Sequence, residues 1–199
     1  MDEFSIRIEN VVASVSLGET IDLYQIARAI PGVDYDPKRF PGLLFRLSKP
    51  KTATLIFSSG KMVCTGAKSS SGVYEAVDEI VRTLREKGIE IKGKPEVFIQ
   101  NVVASANLNS EVNLEKAGLK LDNVLYEPEQ FSGLIYRMGE PKVVLLIFGS
   151  GKMVCTGARS EQDVYDAVKK IYGKLKEIDV LIAKKPARRA VCSCSSSFL

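Results

Sequence analysis

Residues 57–68 read FSSGKMVCTGAK, and residues 148–159 read FGSGKMVCTGAR. The copies lie 91 residues apart and are identical at ten of twelve positions. In each copy a Ser-Gly pair, which is typical of a tight hairpin, is followed by the run Lys-Met-Val-Cys-Thr, which would return as a strand. This stretch therefore predicts that the chain contains one β-rich unit in two copies.

Two further segments recur at the same spacing of 91 residues. Residues 8–14 (IENVVAS) match residues 99–105 (IQNVVAS), and residues 40–46 (FPGLLFR) match residues 131–137 (FSGLIYR). A constant shift without gaps indicates two copies of one supersecondary unit, because an open solenoid needs three or more repeats. Two like halves that bury a shared face favour a two-fold arrangement.

Each copy predicts the element order β-α-β-β-β-α. In the first copy we expect strands over residues 6–15, 43–47, 52–57 and 61–65, and helices over residues 20–30 and from residues 69–71 to about residue 87. The longer helix has its apolar positions on one stripe in both copies: Val73, Val77, Ile80, Val81 and Leu84, and then Val164, Val168, Ile171, Leu175 and Ile178. This pattern predicts an α+β fold, a curved antiparallel sheet with helices on one face.

The repeat also divides the chain. We expect a first repeat over residues 1–91 and a second over residues 92–182, joined by a connector too short to separate independent domains. Residues 183–199 form a basic tail rich in Ser and Cys, which we expect to be mobile.

Composition excludes several classes of protein. The 199 residues are 45% hydrophobic and 26% charged, an ordinary globular mixture. No apolar run reaches the roughly 18 residues of a membrane span, so we expect no membrane association. The net charge of +4 comes from Lys184, Lys185, Arg188 and Arg189 in the tail, because the other 24 basic residues balance the 24 acidic ones. Overall charge therefore does not indicate a nucleic-acid binder; only local charge placement could.

The four cysteines do not form a secreted disulfide scaffold. Cys64 and Cys155 lie in apolar strand-like runs and are expected to be buried free thiols. Cys192 and Cys194 lie in the tail and could hold a metal or form a disulfide, but with no histidine and no second pair nearby we expect an inert tail and no metal site. A reducing intracellular compartment is the simplest interpretation.

The enzyme alternatives are weak. The chain has no histidine, which excludes Ser-His and Cys-His nucleophile pairs. Gly149–Lys152 resembles a phosphate loop, but Met153 follows in place of Ser or Thr and the upstream glycine spacing fails. The nearby carboxylates Glu127 and Glu129 have no evident apolar pocket that would raise a pKa. We therefore expect no catalytic residues.

Alternation along the strands assigns side chains to two faces of the sheet. Met62 and Cys64 suit a core beneath the helix, so Val63 and Thr65 must face the other way. We call this other side the open face. It would carry the apolar residues Val12, Leu55, Phe57, Val63, Val103, Leu146, Phe148 and Val154, and the polar residues Asn10, Thr65, Asn101 and Thr156.

A monomer rarely exposes so much apolar surface. The residues alone leave open a two-sided core, a dimer interface, and a surface for a small apolar ligand, a protein or DNA. For DNA, amides and hydroxyls among aliphatic residues could meet the acceptors of A·T pairs in the minor groove, where a guanine amino group would clash. Phenylalanines at strand ends could wedge between base steps. A nuclease-associated domain of the same fold, a further alternative, would show no A/T preference.

Three segments resemble the TATA-box-binding proteins, which are general transcription initiation factors. These are DPKRF at residues 36–40, the stretch at residues 57–68, and YEPEQF at residues 126–131. The resemblance extends over both repeats, from about Ile6 to Val180, and the short segment before it is similar to archaeal members. It implies a pseudo-two-fold saddle with helices on the convex face.

The resemblance also implies site residues. Phe40 with Phe57, and Phe131 with Phe148, would form two wedges that intercalate into DNA. Asn10, Asn101, Thr65 and Thr156 would hydrogen-bond to base edges, and Val12, Val103, Val63, Val154, Leu55 and Leu146 would make apolar base contacts. Phosphates and sugars would be held by Arg39, Arg46, Lys61, Lys68, Arg137, Lys152 and Arg159.

The same resemblance implies partners. They are double-stranded TATA-box DNA, transcription factor B (contacted by Glu127 and Glu129) and the RNA polymerase pre-initiation complex. It implies a monomer on DNA, with dimerisation of the free protein left open, no cofactor, and a cytoplasmic, nucleoid-associated location. The basic tail departs from the acidic run in which archaeal members often end, so its role is an open point.

Overall fold

A computed structural model of the chain describes residues 3–183. The first repeat contains β1 (Ser5–Ser16), α1 (Leu23–Ala29), β2 (Leu43–Ser48), β3 (Lys51–Ile56), β4 (Lys61–Ala67) and α2 (Ser70–Glu86). The second contains β5 (Glu96–Asn107), β6 (Ser110–Val112), α3 (Leu114–Lys120), β7 (Val124–Leu125), β8 (Gly133–Met138), β9 (Val143–Phe148), β10 (Lys152–Ala158), α4 (Glu161–Glu177) and β11 (Leu181–Ala183). The predicted order of six main elements is confirmed in both repeats.

Three short strands were not predicted. β6 pairs with β11 in a small second sheet, and β7 extends the main sheet beyond β8. Strands of two or three residues are too short to show an alternating pattern, so the sequence carries no signal for them. The tail predicted to be mobile, with Cys192 and Cys194, lies outside the described residues apart from Ala183, which ends β11.

The main sheet joins the two repeats edge to edge. Its nine strands run in the order β2-β3-β4-β1-β5-β10-β9-β8-β7, so β1 and β5 occupy the centre. These two strands pair antiparallel along their whole length, with Val11 opposite Val102 near the middle. The pseudo-two-fold axis therefore passes between β1 and β5, and each half of the saddle repeats the other.

Helices cover one face of this sheet. α2 packs on β4 and β1, and α4 packs on β10 and β5. Ser69 caps α2 by accepting a hydrogen bond from the Gly72 amide, and Ser160 forms a capping box with Asp163 on α4. The predicted apolar stripes are buried, except that Ile178 caps the end of α4 and is only partly buried.

The core lies between the helices and the sheet. Val11, Ala13, Met62 and Cys64 and their repeat counterparts Val102, Ala104, Met153 and Cys155 are all buried. Cys64 and Cys155 are free thiols, as predicted. Burial raises the pKa of the Cys64 thiol and raises the pKa of Cys155 to about 11. No helix within residues 3–183 is long and apolar enough to cross a membrane.

Candidate nucleic-acid interface

The open face carries the side chains that alternation assigned to it. In β4, Met62 and Cys64 are buried, whereas Val63 between them is 37% exposed. The other predicted floor residues are half-buried, in contrast to their fully buried neighbours: Val12, Leu55, Phe57, Val103, Leu146, Phe148 and Val154. The two sides of the sheet therefore differ: one is a helix-covered core and the other is a broad apolar surface that retains contact with solvent.

A fixed polar group lies on the open face in each half. The Asn10 side-chain oxygen accepts a hydrogen bond of 2.8 Å from the Gly66 amide, and its Nδ2 donates to Thr65 Oγ1 at 3.1 Å. Because a backbone N–H can only donate, the first bond fixes the orientation of the Asn10 amide. One Nδ2 proton engages the threonine, and the amide still has a second proton to offer.

The second repeat reproduces this arrangement. Asn101 accepts from the Gly157 amide at 2.8 Å and donates to Thr156 Oγ1 at 3.4 Å. The register places Asn10 opposite Val103 and Val12 opposite Asn101. Two amide donors and two valines therefore surround the pseudo-two-fold axis at the centre of the face.

Paired phenylalanines lie at both ends of the open face. The rings of Phe40 and Phe57 have centroids 6.0 Å apart at an interplanar angle of 62°. The rings of Phe131 and Phe148 are 5.8 Å apart at 64°. Phe40 is 44% and Phe131 37% exposed, although aromatic rings of this size are usually covered. The structure therefore brings together the two pairs that the resemblance implied.

A glycine lies beneath each phenylalanine pair. A Cβ on Gly42 would be 2.6 Å from Phe40 Cε1 and 3.0 Å from Phe57 Cε1. On Gly133 it would be 2.7 Å from Phe131 Cε1 and 3.0 Å from Phe148 Cε1. Both rings of each pair lean into space that only glycine leaves free, so Gly42 and Gly133 allow the positions that the phenylalanine rings adopt.

Turns before the wedges differ in charge between the repeats. The amides of Arg39 and Phe40 donate to the Asp36 carbonyl, and those of Gln130 and Phe131 donate to the Glu127 carbonyl. The same turn thus presents Lys38 and Arg39 in the first repeat but Glu129 and Gln130 in the second. The side chains of Glu127 and Glu129 are exposed.

The predicted cationic residues border the floor. All seven are exposed: Arg39, Arg46, Lys61, Lys68, Arg137, Lys152 and Arg159. At one edge, Arg137, Lys142 and Arg159 line a cavity of about 730 Å³ that Glu140 and Asp163 also line. A mainly basic border around an apolar floor suits a polyanion whose groove is less polar.

A further carboxylate, that of Glu9, lies among the basic residues of this border. Glu9 accepts a hydrogen bond of 2.7 Å from the Ser105 hydroxyl and pairs with Lys68 at 3.4 Å and Arg7 at 3.7 Å. The Ser105 bond, followed by the two cations, holds the pKa of Glu9 below its usual value. Its repeat counterpart is neutral: the Gln100 amide donates to Ser14 Oγ at 2.7 Å. Lys68 is therefore partly neutralised within the chain.

Comparison with known proteins identifies the family. The family model described as "Transcription factor TFIID (or TATA-binding protein, TBP)" matches residues 5–87 and again residues 96–178. The chain belongs to this TATA-binding protein family. The expected family and the expected saddle fold are both confirmed.

Relatives of the family match along most of the chain. The TATA-box-binding protein of Sulfolobus acidocaldarius is 59% identical over 174 residues, which are 87% of this chain and 88% of that protein. That of Pyrodictium occultum is 62% identical over 172 residues, 86% of each. The solved structure of Methanococcus jannaschii TBP is 50% identical with a TM-score of 0.80, covering 87% of this chain and 99% of that one.

Sequence reasoning missed several residues of this family member's open face. Gly42 and Gly133 are quoted in the repeat, but their role depends on ring positions that the sequence does not give. Glu9 is separated from Lys68 by 59 residues and from Ser105 by 96. The only available signal for Glu9 was its replacement by Gln100 in an otherwise matching segment.

Proposed function

We propose that this chain is a transcription initiation factor that binds TATA-type, A/T-rich duplex DNA through the minor groove. In this proposal the open face receives the DNA, the phenylalanine pairs bend it, and the complex recruits transcription factor B and RNA polymerase. The observation that carries the proposal is the duplicated Asn-Thr-Gly arrangement at the centre of the face.

The amide geometry supports preference for A·T pairs. In each half, Asn Oδ1 is occupied by a glycine amide, so Nδ2 is the atom that faces an incoming base edge as a donor. The minor-groove edges of A·T pairs present only the acceptors adenine N3 and thymine O2. A G·C pair adds the guanine amino group, which would set donor against donor. Two such donors near the axis favour A·T pairs at the centre of the site.

The apolar floor supports contact with an opened minor groove. Val12 and Val103 flank the two amides, and Val63, Val154, Leu55 and Leu146 extend the floor outward. Covering these half-buried side chains with sugars and base edges removes apolar surface from water, a gain of about 25 cal/mol per Å². This gain does not depend on salt, unlike the contribution of the cations.

The phenylalanine pairs support bending. Rings at both ends of a groove-binding face can insert between base steps, and this family is itself the known example of minor-groove wedges and of a kink of about 80°. Unstacking costs a few kcal/mol per step and is offset by the surface that the bent duplex covers. The exposed rings supported on Gly42 and Gly133 are suited to this insertion.

The outer residues support the remaining contacts. The seven exposed cations would hold phosphates and sugars along both strands, with Lys68 shared between DNA and Glu9. The turn with Glu127 and Glu129 is acidic, whereas its first-repeat counterpart is basic. We assign this acidic turn to contact with transcription factor B. On DNA the chain would act as a monomer, since one chain supplies both halves of the site.

End-labelled duplexes test the proposal. Titration of the protein into an A/T-rich duplex with a dye at each end should give one protein per duplex and an increase in energy transfer. Affinity should fall steeply with salt concentration. Transcription factor B should then produce a ternary complex in a gel shift. A protein that binds G·C-rich duplexes equally well, or leaves the ends of the DNA apart, would contradict the proposal.

A further inference from the structure

The open face departs from its own two-fold symmetry beside the phenylalanine pairs as well as at Glu9 and Gln100. Residue 7 and residue 98 are related by the 91-residue shift, but the first is Arg7 and the second is Phe98. Their partners across the neighbouring strands are the same in both halves. Arg7 lies opposite Ser105, which lies beside Val154, and Phe98 lies opposite Ser14, which lies beside Val63.

The Phe98 ring is exposed and is not part of the hydrophobic core. Its chain neighbours Val97 and Ile99 pack against the core, whereas the Phe98 ring is 56% exposed. The ring lines a cavity of about 560 Å³ beside Phe57, Val63 and Ser14 on the open face. It therefore adds a third aromatic ring to the end of the face that holds the Phe40–Phe57 wedge.

Arg7 occupies the equivalent place at the other end. It lines a cavity of about 650 Å³ beside Phe148, Val154 and Ser105. Its guanidinium pairs with Glu9 at 3.7 Å, and Gln100 replaces that carboxylate in the other half. One end of the face thus offers an apolar ring next to its wedge, and the other end offers a charged pair.

This difference between the two ends of the open face affects the direction in which the protein can bind a duplex. A two-fold symmetric protein would bind even an asymmetric duplex equally well in either direction, because a half-turn about the protein's own axis makes the two complexes identical. Only residues that face the groove and differ between the halves can give the two directions of binding different affinities. A phenylalanine ring contacts sugars and unstacked bases, and the strength of these contacts does not depend on salt concentration. An arginine instead favours phosphates.

We propose that Phe98 and Arg7 set the direction in which the protein lies on an asymmetric A/T-rich duplex. Phe98 contacts sugars next to the step opened by Phe57, and Arg7 contacts a phosphate next to the step opened by Phe148. The inference rests on the proposed function and adds to it the residues that determine orientation.

Energy transfer between protein and DNA tests this inference. An acceptor dye is placed on Glu75→Cys, an exposed position of α2, in a chain with Cys192→Ser and Cys194→Ser, and a donor is placed on one end of the duplex. The two directions of binding then give two transfer efficiencies. For the parent chain we expect one direction of binding to be favoured over the other by a factor of between about three and about ten.

Exchange of the two residues gives the decisive result. Arg7→Phe combined with Phe98→Arg should reverse the ratio, and Phe98→Arg alone should bring it near one. Tyr74→Arg is the matched control, because Tyr74 is 49% exposed on a helix and should leave the ratio unchanged. Melting midpoints confirm that each variant is folded.

The outcomes separate this inference from the proposed function. Tight binding with an unchanged ratio in the exchanged variant, or equal populations in the parent, overturns the role of Phe98 and Arg7 and leaves DNA binding intact. A parent chain that does not bind the A/T-rich duplex overturns both.

Discussion

Asn10 and Thr65 share a hydrogen bond of 3.1 Å across neighbouring strands, and the Gly66 amide holds the Asn10 oxygen from the other side. The bond from Gly66 decides which end of the amide faces outward. An isolated asparagine could offer a donor or an acceptor, but this one offers a donor. Asn101, Thr156 and Gly157 repeat the arrangement, so donors occupy both sides of the axis.

Asn10→Asp tests this donor directly. The aspartate can still accept from the Gly66 amide, but it has no proton for a base and adds a negative charge. We expect A/T-duplex affinity, measured by fluorescence anisotropy, to fall at least about tenfold with the melting midpoint little changed. Asn113→Asp adds the same charge at the N-cap of α3, where aspartate serves equally well, and should bind normally. Equal losses in both variants would mean that charge alone, and not the donor, explains the effect.

Gly42→Ala tests how the wedge is positioned. The new Cβ would be 2.6 Å from Phe40 Cε1, so the rings must move, while the free energy of unfolding should change by no more than about 1 kcal/mol. We expect a smaller bend in the end-labelled duplex. Gly139→Ala is the control, because a Cβ there meets nothing within 4 Å. A normal bend angle in Gly42→Ala would show that the ring positions do not matter.

Glu9→Gln tests the Glu9 carboxylate on the open face. Removing the charge frees Lys68 and Arg7 for phosphates, so binding should tighten at low salt. The slope of log affinity against log salt should become steeper by about one. An unchanged slope would indicate that Lys68 makes no phosphate contact.

Acid titration gives a second readout for Glu9. Its pKa is lowered in the folded chain, so its contribution to stability is present above the unfolded value of 4.5 and is lost as the pH falls through the folded value. The melting midpoint of Glu9→Gln should therefore fall less between pH 5 and about pH 3 than that of the parent chain. Parallel curves would rule out this ion pair as a source of acid sensitivity.

The buried thiols give a test of the core. With a pKa of about 11, the Cys155 thiol is about one part in a thousand ionised at pH 8. In a chain with Cys192→Ser and Cys194→Ser, Ellman's reagent should react with Cys64 and Cys155 only after denaturant is added. Rapid reaction of the native chain would mean that the helices do not cover this side of the sheet.

Much of this architecture could be predicted from the sequence because its signals are local or repeated. Alternation in residues 61–67 was enough to separate Met62 and Cys64 from Val63 and Thr65, and the 91-residue shift supplied an independent copy. The stripe of α2 likewise identified its buried side.

The remainder depends on contacts between distant segments. Nothing near Gly42 in the sequence indicates that two rings lie over it, and Glu9 meets Ser105 only because β1 pairs with β5. Phe98 looks like an ordinary strand residue until the register places it on the open face.

Binding to inosine-substituted DNA tests the central claim most directly. An inosine·cytosine pair has no amino group in the minor groove but resembles G·C in the major groove. Replacing the central A·T pairs by I·C should keep the affinity within about threefold, whereas G·C should lower it at least about tenfold. If the I·C duplex binds as poorly as the G·C duplex, donors on the open face do not read the minor groove, and the account is contradicted.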